Sequence, residues 1–434
     1  LKNKTDETNF ETLVTSELYK IDLNGKASLY KSADLYAGEG FSPDGNYIMI
    51  TTIQKPFSYI VPLSRFPMKS IVYDLTGKEV KVVNEVPLSE IMTKGYMATR
   101  KGKRSMNWRS DAPATLSYVE ALDGGDPANK VDFRDEVFLW QAPFTSNPTS
   151  LAKTAQRYGG IVWGNNTTAI LYDQWYDTRN EKTYLINPSN PGQAPKVIFD
   201  RNSQDIYSDP GSFETVKNQY GRQVLALEND NAFLIGEGHT KNGQFPFIDE
   251  FNIKTLKPKR LYQSAYKDKK ESIFSIEDFK KGDVLVQIQS KSEYPNYYFR
   301  NIKKKNELTQ ITNFKNPFES IKNVHKEVIK YKRKDGVELS GTLYLPVGYD
   351  MKKKEKLPLL IWAYPEEYKD KNSAGQSSQN PNEFTFPNYG SFVYWVAKGY
   401  VVLDDASFPI IGEGSTVPND TFITQLVDNA AAAI

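Results

Sequence analysis

The sequence of 434 residues contains no cysteine, which excludes disulfide bonds and thiolate chemistry but does not decide the compartment. It has no apolar run of about 18 residues, so no membrane-spanning helix is predicted. Only two histidines occur, His239 and His325, and neither stands at metal-ligand spacing, so no metal or other cofactor is predicted. The net charge of +2 gives no bulk electrostatic reason to expect nucleic acid or a membrane surface as a partner.

A start methionine and a signal-peptide pattern are also missing, because the chain opens at Leu1 and continues with polar and charged residues. We interpret the chain as an internal fragment or a processed product. Its length predicts two or three domains, and its composition, 39% hydrophobic and 25% charged, is typical of a globular protein.

A strand–turn–strand unit recurs from the start of the chain to about residue 315. Examples are residues 18–26, 71–78 and 183–188, and a second, more apolar hairpin such as residues 41–48 lies between copies. The 27 tyrosines and 23 phenylalanines also favour β-structure. Two hairpins per unit make a four-stranded sheet, and sheets repeated in this way predict a β-propeller.

The fold class predicted is therefore mainly β, with a β-propeller over residues 1–320. A complete ring would have roughly seven or eight blades. Since an unpaired blade edge is costly, we expect the N-terminus of the ring to be incomplete in this chain. A pair of β-sandwiches, or a propeller that serves only as a docking platform, is the alternative interpretation.

The pattern changes in residues 321–434. Alternating apolar and polar residues on both sides of an Asp-Gly turn predict a two-stranded hairpin over residues 328–345. A short apolar run then predicts a strand that is buried on both faces and ends at Tyr364, where Pro365 opens a long polar loop. Ligands of such sheets bind at the carboxyl ends of the strands, so Tyr364 is placed to face a site.

Further elements complete a recognisable order. They are a helix near residues 391–398, a strand at 400–404, a loop at 406–415 and a final helix. Hairpin, strand, helix, strand and helix make the N-terminal half of an α/β-hydrolase domain. No Gly-x-Ser-x-Gly nucleophile elbow occurs in the sequence, so we expect the C-terminal half of this domain to be absent and the chain to be inactive alone. The remainder of its own catalytic domain is then an expected partner.

Segments spread over most of the chain resemble the prolyl oligopeptidase superfamily of serine peptidases, and within it the glutamyl endopeptidase-like group. They are Arg104-Ser-Met-Asn-Trp-Arg109 and residues 118–126, 207–212, 236–238, 331–336, 362–369, 381–384 and 409–414. The resemblance implies a serine endopeptidase that cleaves peptides after acidic residues, with the propeller gating access. It also implies a location in the bacterial periplasm, outside the cell or in an organelle.

The resemblance assigns one catalytic residue. The family has a tyrosine at the end of this strand whose hydroxyl helps to form the oxyanion hole, and Tyr364 matches it. A core tyrosine with its hydroxyl bonded to backbone is the alternative. The Gly-Gly that usually follows is replaced here, after Pro365, by Glu366 and Glu367, which are candidate substrate-binding residues.

Cleavage after glutamate requires a cation for the substrate carboxylate, and an arginine fork suits this purpose. Arg104 and Arg109 flank a predicted strand and are candidates, with a purely structural role as the alternative. Glu413 follows another predicted strand and could contact the catalytic loops.

Two other functions stay open at this point. A dipeptidyl peptidase or aminopeptidase of the same superfamily would need paired acids for a substrate amino terminus, and Glu366-Glu367 is such a pair in sequence. A non-catalytic propeller that binds peptides or a partner protein is the other.

Overall fold

The computed structural model describes residues 1–353 and 355–434, which form two compact units. Unit 1 comprises residues 1–176, 180–200 and 215–225, and unit 2 comprises residues 177–179, 201–214 and 226–434. Strands dominate both units, so the mainly β class is confirmed. No helix among the described residues is both long and apolar enough to cross a membrane.

The first part of the chain contains one α-helix and seventeen strands. In chain order these are α1 (Lys4–Val14), β1 (Ser16–Ile21), β2 (Ala27–Asp34), β3 (Tyr36–Phe41), β4 (Tyr47–Ile53), β5 (Met68–Asp74), β6 (Glu79–Val86), β7 (Arg104–Trp108), β8 (Thr115–Ala121), β9 (Asp135–Gln141), β10 (Thr149–Thr154), β11 (Arg157–Asn165), β12 (Thr168–Trp175), β13 (Asn180–Ile186), β14 (Lys196–Asn202), β15 (Ser212–Phe213), β16 (Thr215–Lys217) and β17 (Gln223–Leu225).

The rest of the described chain adds fourteen strands and two short α-helices. They are β18 (Leu227–Glu228), β19 (Asn231–Gly236), β20 (His239–Thr240), β21 (Gly243–Gln244), β22 (Phe247–Asn252), β23 (Lys257–Gln263), β24 (Lys270–Asp278), β25 (Asp283–Gln289), β26 (Asn296–Asn301), β27 (Glu307–Gln310), β28 (His325–Lys332), β29 (Glu338–Leu345), β30 (Leu359–Tyr368), α2 (Lys371–Ala374), β31 (Val401–Ile411) and α3 (Phe422–Ala433).

Short 3₁₀ helices connect several of these elements. They are Leu63–Arg65, Tyr176–Thr178, Ile206–Ser208, Glu319–Ile321, Phe392–Lys398 and Pro418–Thr421.

Most sheets are antiparallel meanders, in which strands adjacent in sequence are adjacent in the sheet. Four-stranded meanders are formed by β3–β6, β7–β10, β11–β14 and β24–β27. A further sheet has the order β15-β19-β22-β23, with β18 also paired to β19. This repetition of similar sheets agrees with the strand–turn–strand units read from the sequence.

Apolar side chains from successive meanders of unit 1 meet face to face. Val72 on β5 and Leu116 on β8 belong to one buried cluster with Phe144, and each is at most 1% exposed. Val137 on β9 and Leu171 on β12 belong to the next cluster. Burying each such side chain contributes roughly 1.5–3 kcal/mol, so the contacts between sheets stabilise unit 1.

Unit 2 contains a mixed sheet with the order β28-β29-β31-β30. The hairpin predicted around the Asp-Gly turn is confirmed as β28 and β29, with Gly336 at φ +87° in the turn. β29 and β31 are antiparallel, whereas β30 and β31 are parallel. β30 is the edge strand of this sheet among the described residues.

Two predicted boundaries in this sheet are wrong. β30 continues through Pro365 to Tyr368 instead of ending at Tyr364, and β31 continues to Ile411 through residues predicted to be a loop. A proline lacks the N–H of a ladder but is accepted in an edge strand, and this is the position that Pro365 occupies. Parallel pairing from Leu359–Val401 to Tyr368–Ile411 therefore extends past the expected break.

The predicted helix near residues 391–398 is a 3₁₀ helix, Phe392–Lys398, which ends at Gly399 in the left-handed conformation. The final helix is confirmed as α3, and its Asn429 is fully buried. The Asn429 amide donates to the carbonyl of Pro409 at 3.0 Å and its oxygen accepts from Arg333 at 2.9 Å, which attaches α3 to β31 and to the hairpin turn.

Candidate active site

A cavity of about 120 Å³ lies in unit 2 beside the C-terminal halves of β30 and β31, and we call it the Tyr364 cleft. Three parts of the chain line it: the two strands, Ser340 of β29, and the segment that follows α2. The lining residues are Ser340, Tyr364, Glu366, Tyr368, Ala374, residues 376–379 and residues 405–409. The carboxyl end of a parallel strand pair is where sheets of this kind hold ligands.

Strand alternation decides which side chains of β30 reach the cleft. Side chains two residues apart point to the same face, so Tyr364, Glu366 and Tyr368 share the lining. The Tyr364 side chain is 76% exposed. The side chain is therefore accessible from solvent, and that Tyr364 faces a functional site stays a prediction.

Glu366 contributes a carboxylate to the lining of the cleft. The Tyr368 hydroxyl donates to Glu366 Oε2 at 2.9 Å. Burial raises the pKa of Tyr368, and the charge of Glu366 and its hydrogen bond raise it further. Tyr368 is thus held as a neutral donor that orients the Glu366 carboxylate.

A bulge in β31 brings a second carboxylate to the cleft. Between the pairs Ile361–Leu403 and Ala363–Ala406 the strand β31 has one residue more than β30, and Asp405 there takes φ +50°. Gln379 Nε2 donates to the Asp405 carbonyl at 2.7 Å and to Asp405 Oδ2 at 3.2 Å. The Gln379 Oε1 atom is buried and has no hydrogen-bond partner among the described residues.

Serine hydroxyls form the remaining polar wall. Ser340 Oγ lies 3.1 Å from Ser377 Oγ and 3.3 Å from Ser407 Oγ. Together with the Tyr364 hydroxyl they offer neutral donors and acceptors, which suits a peptide backbone. No histidine lines this cleft in the described part of the chain.

The two adjacent glutamates that follow Pro365 do not act together. Glu366 faces the cleft, while Glu367 leaves the opposite face of β30, where its carboxylate lies 3.5 Å from Arg179 Nη2. The Glu367 carbonyl also accepts from Gln204 Nε2 at 2.6 Å. Glu413 lies after β31, and its carboxylate accepts from the backbone N–H of Lys371 at 3.4 Å.

Arg109 belongs to unit 1, where its fork is engaged by a neighbour. Its Nε and Nη2 atoms donate to the two oxygens of Asp111, each at 2.7 Å, and its guanidinium lies 4.9 Å from the ring centre of Trp163. Arg109 is also buried. A substrate carboxylate would have to replace Asp111, so this geometry favours the structural alternative.

Arg104 lies in a buried charge network of unit 1. It pairs with Asp135, which is fully buried and also accepts from Arg157 at 3.1 Å. Arg157 continues to Asp123 at 2.6 Å. Burial alone would raise the pKa of Asp123, but hydrogen bonds from Arg157 and its other partners lower it overall, so the carboxylate stays charged. The Nη1 atom of Arg104 is buried without a partner among the described residues.

Sequence reasoning missed several of these residues. Tyr368 and Gln379 lie in a predicted loop and Asp405 lies between a predicted strand and a predicted loop, and no local pattern marks them as neighbours of Tyr364. One signal was present in the sequence, because strand alternation continued past Pro365 puts the Tyr368 side chain on the same face as that of Tyr364.

In the described residues, no group of three or more His, Cys, Asp or Glu is arranged to hold a metal ion.

Comparison with known proteins adds a separate observation. No protein-family model matches the chain. Among curated proteins it is 38% identical over 448 residues to "Probable glutamyl endopeptidase, chloroplastic" of Oryza sativa subsp. japonica, which covers 100% of this chain and 48% of that protein. The protein of the same name from Arabidopsis thaliana is 38% identical over 450 residues, with 100% and 47% covered. The chain thus spans about half the length of these relatives.

Solved structures show a similar fold at low identity. A prolyl endopeptidase structure has a TM-score of 0.53 at 15% identity and covers 97% of this chain and 54% of its own. A putative dipeptidyl aminopeptidase IV from Bacteroides ovatus has a TM-score of 0.52 at 13% identity, with 92% and 56% covered. The curated relatives confirm the resemblance to the glutamyl endopeptidase-like group, and the solved structures show a similar fold.

Proposed function

We infer that this chain, a homologue of proteins named glutamyl endopeptidase, is part of a serine endopeptidase of the prolyl oligopeptidase superfamily. Similarity to those proteins along all of the chain supports a peptidase, and the position of Tyr364 supports the catalytic chemistry. The observation that carries the proposal is the exposed Tyr364 side chain in a polar cleft beside the parallel strands β30 and β31.

The architecture proposed is a β-propeller in residues 1–320 and the N-terminal half of an α/β-hydrolase domain in residues 321–434. Consecutive four-stranded meanders support the propeller. The mixed sheet β28-β29-β31-β30, with its one parallel pair, supports the hydrolase part. In this arrangement the propeller admits peptides and excludes folded proteins.

The proposed reaction proceeds through an acyl-enzyme. A serine, activated by a histidine, attacks the peptide carbonyl, and negative charge develops on the carbonyl oxygen. The Tyr364 hydroxyl donates to that oxygen and lowers the barrier by about 2.7–4 kcal/mol. Since the sequence contains no Gly-x-Ser-x-Gly, the serine and histidine would come from the remainder of the catalytic domain.

The proposed substrates are peptides cleaved after glutamate, which is the specificity that the names of the curated relatives describe. Those names also include a chloroplast location, and we extend this to a location in an organelle for the present protein. Recognition of a substrate amino terminus has less support. Two carboxylates would have to contact the same amino group, whereas the side chains of Glu366 and Glu367 lie on opposite faces of β30.

The test is Tyr364→Phe in the full-length protein, assayed with a fluorogenic peptide that contains one glutamate. We expect kcat to fall by about 10²–10³-fold because one oxyanion donor is lost, while labelling of the serine by a fluorophosphonate probe persists. Tyr389→Phe is the matched control, since Tyr389 is fully exposed in unit 2 and does not line the cleft. An unchanged kcat would remove Tyr364 from the mechanism, and a wild-type protein that neither labels nor cleaves would refute the peptidase itself.

A further inference from the structure

A second and larger cavity of unit 2, about 720 Å³ in volume, adjoins the Tyr364 cleft. Ser340, Gln376 and Ser377 line both cavities, so the two cavities are neighbours that share one wall. The larger cavity lies between the β28–β29 hairpin, the helix α2 and the β20–β21 turn. Three lysines line it, Lys241, Lys330 and Lys371, and we call it the lysine cavity.

The acidic residues of the lysine cavity already have cationic partners. Asp335 accepts from Arg333 Nε and Nη2, both at 2.9 Å, and these hydrogen bonds lower its pKa. Glu338 lies 3.7 Å from the amine of Lys332. Neither Arg333 nor Lys332 lines the cavity, so its own lysines are not needed to neutralise these carboxylates.

The cavity lysines are largely uncompensated. Lys371 approaches Asp335 only at 4.0 Å. No ion pair involves Lys241 or Lys330 in the described residues. The Lys330 amine donates instead to the Lys241 carbonyl at 3.4 Å. Two positive charges without a carboxylate partner thus occur at a concave site that has room for a side chain.

We propose that the lysine cavity binds the side-chain carboxylate of an acidic residue in the peptide, which makes Lys241 and Lys330 specificity-determining residues. The inference rests on the proposed function, because it assumes that the peptide also occupies the Tyr364 cleft. There Glu366 and Asp405 disfavour a carboxylate, whereas the serine hydroxyls accept an uncharged backbone. The acidic side chain is therefore directed to the neighbouring cavity, where the positive charge lies.

Binding of peptides to the full-length protein tests this without catalysis, because a reduced peptide bond after the variable residue prevents cleavage. Two dye-labelled peptides with amidated C-termini, identical except for one Glu or Gln, are titrated and followed by fluorescence anisotropy. We expect the Glu peptide to bind about fivefold more tightly at low salt, and the difference to shrink as salt is added. In the double variant Lys241→Gln/Lys330→Gln the two peptides should bind equally.

Lys257→Gln/Lys280→Gln is the matched control, because it removes the same charge from two exposed lysines of unit 2 that do not line the cavity, and it should keep the preference for Glu. Equal binding of both peptides by the wild-type chain, binding of neither, or a preference that survives the double variant would each overturn the proposal. A third peptide with Gln and a free C-terminus identifies the source of the carboxylate. If it binds as tightly as the Glu peptide, the cavity reads a chain end and the side-chain assignment is wrong.

Failure of this inference can be separated from failure of the proposed function. Hydrolysis after glutamate by the full-length protein that persists in the double variant would refute the role of the lysines and leave the peptidase intact. The full-length protein could instead prefer the Glu peptide in binding, lose this preference in the double variant and hydrolyse no peptide. That result would support the role of the lysines and refute the peptidase.

Discussion

Lys326 provides a quantitative test of the electrostatics in unit 2. Its amine donates to the carbonyl of Glu383 at 2.7 Å and lies 5.7 Å from the centre of the Tyr344 ring. Burial lowers the pKa of Lys326 from 10.5 to about 8. Glu383 and Asp404 oppose the shift, while the positive charges of Lys270 and Lys291 reinforce it.

The sign of the effect on stability follows from proton binding. Between pH 8 and 10.5 the unfolded chain keeps the Lys326 proton that the folded chain has released, so the free energy of unfolding rises with pH in this window. A pKa lowered to about 8 makes this contribution about 2.5 kcal/mol between pH 7 and 10. Allowing for partial exposure to solvent, we expect about 2 kcal/mol.

The assay compares wild type with Lys326→Met, which keeps an unbranched apolar side chain and removes the titrating amine. Urea unfolding at pH 7, 8.5 and 10 gives the stability of each protein, and tyrosine ionisation at high pH cancels because it is common to both. The stability of wild type relative to the variant should rise by about 2 kcal/mol from pH 7 to 10. Lys332→Met, on the same strand but mostly exposed, should show no such rise. A flat or falling difference for Lys326→Met would refute the assignment.

Three further substitutions test the structure at separate places. Asp135→Asn removes a buried partner of Arg157 and should lower the free energy of unfolding of unit 1 by about 3–5 kcal/mol in urea unfolding, and a loss below about 1 kcal/mol would contradict the network. Gly412→Ala should reduce soluble yield and melting temperature, because a Cβ there would lie 2.4 Å from the Pro418 nitrogen, and an unchanged melting temperature would show that this contact is absent. Asn429→Ala should lower the free energy of unfolding by about 1–3 kcal/mol, because Arg333 and the Pro409 carbonyl lose a buried hydrogen-bond partner. Hydrogen exchange of α3 should become faster, and unchanged exchange would contradict the role of Asn429.

How much of the fold could be predicted depends on how local its causes are. The β28–β29 hairpin was predictable because alternation and an Asp-Gly turn determine it within about 20 residues. The end of β30 was not, because Pro365 terminates a strand only where its missing N–H is needed. That depends on whether β30 is an edge strand, which is a property of the assembled sheet.

The candidate site divides in the same way. The strand that carries Tyr364 could be predicted from a single apolar run. Gln379 and Asp405 could not, because their contact joins the segment after α2 to a bulge in β31, and the bulge is detected only in the register with β30. Arg104 and Arg109 were candidates for binding a substrate carboxylate, but the role of each depends on the carboxylate that lies nearest to it in the folded protein. Asp111 is two residues from Arg109, whereas Asp135 lies on a different strand from Arg104.

The two adjoining cavities give a physical reason why an acidic peptide would bind in one orientation. A carboxylate in the Tyr364 cleft would meet Glu366 and Asp405, and like charges at short range cost energy that the uncharged hydroxyls there cannot offset. In the lysine cavity the same carboxylate would meet Lys241 and Lys330, which no carboxylate of the described chain neutralises. Under the proposed function, selectivity for acidic peptides therefore combines attraction in the lysine cavity with repulsion in the Tyr364 cleft. Removing the lysines alone should weaken the binding of acidic peptides without making the cleft favour a carboxylate.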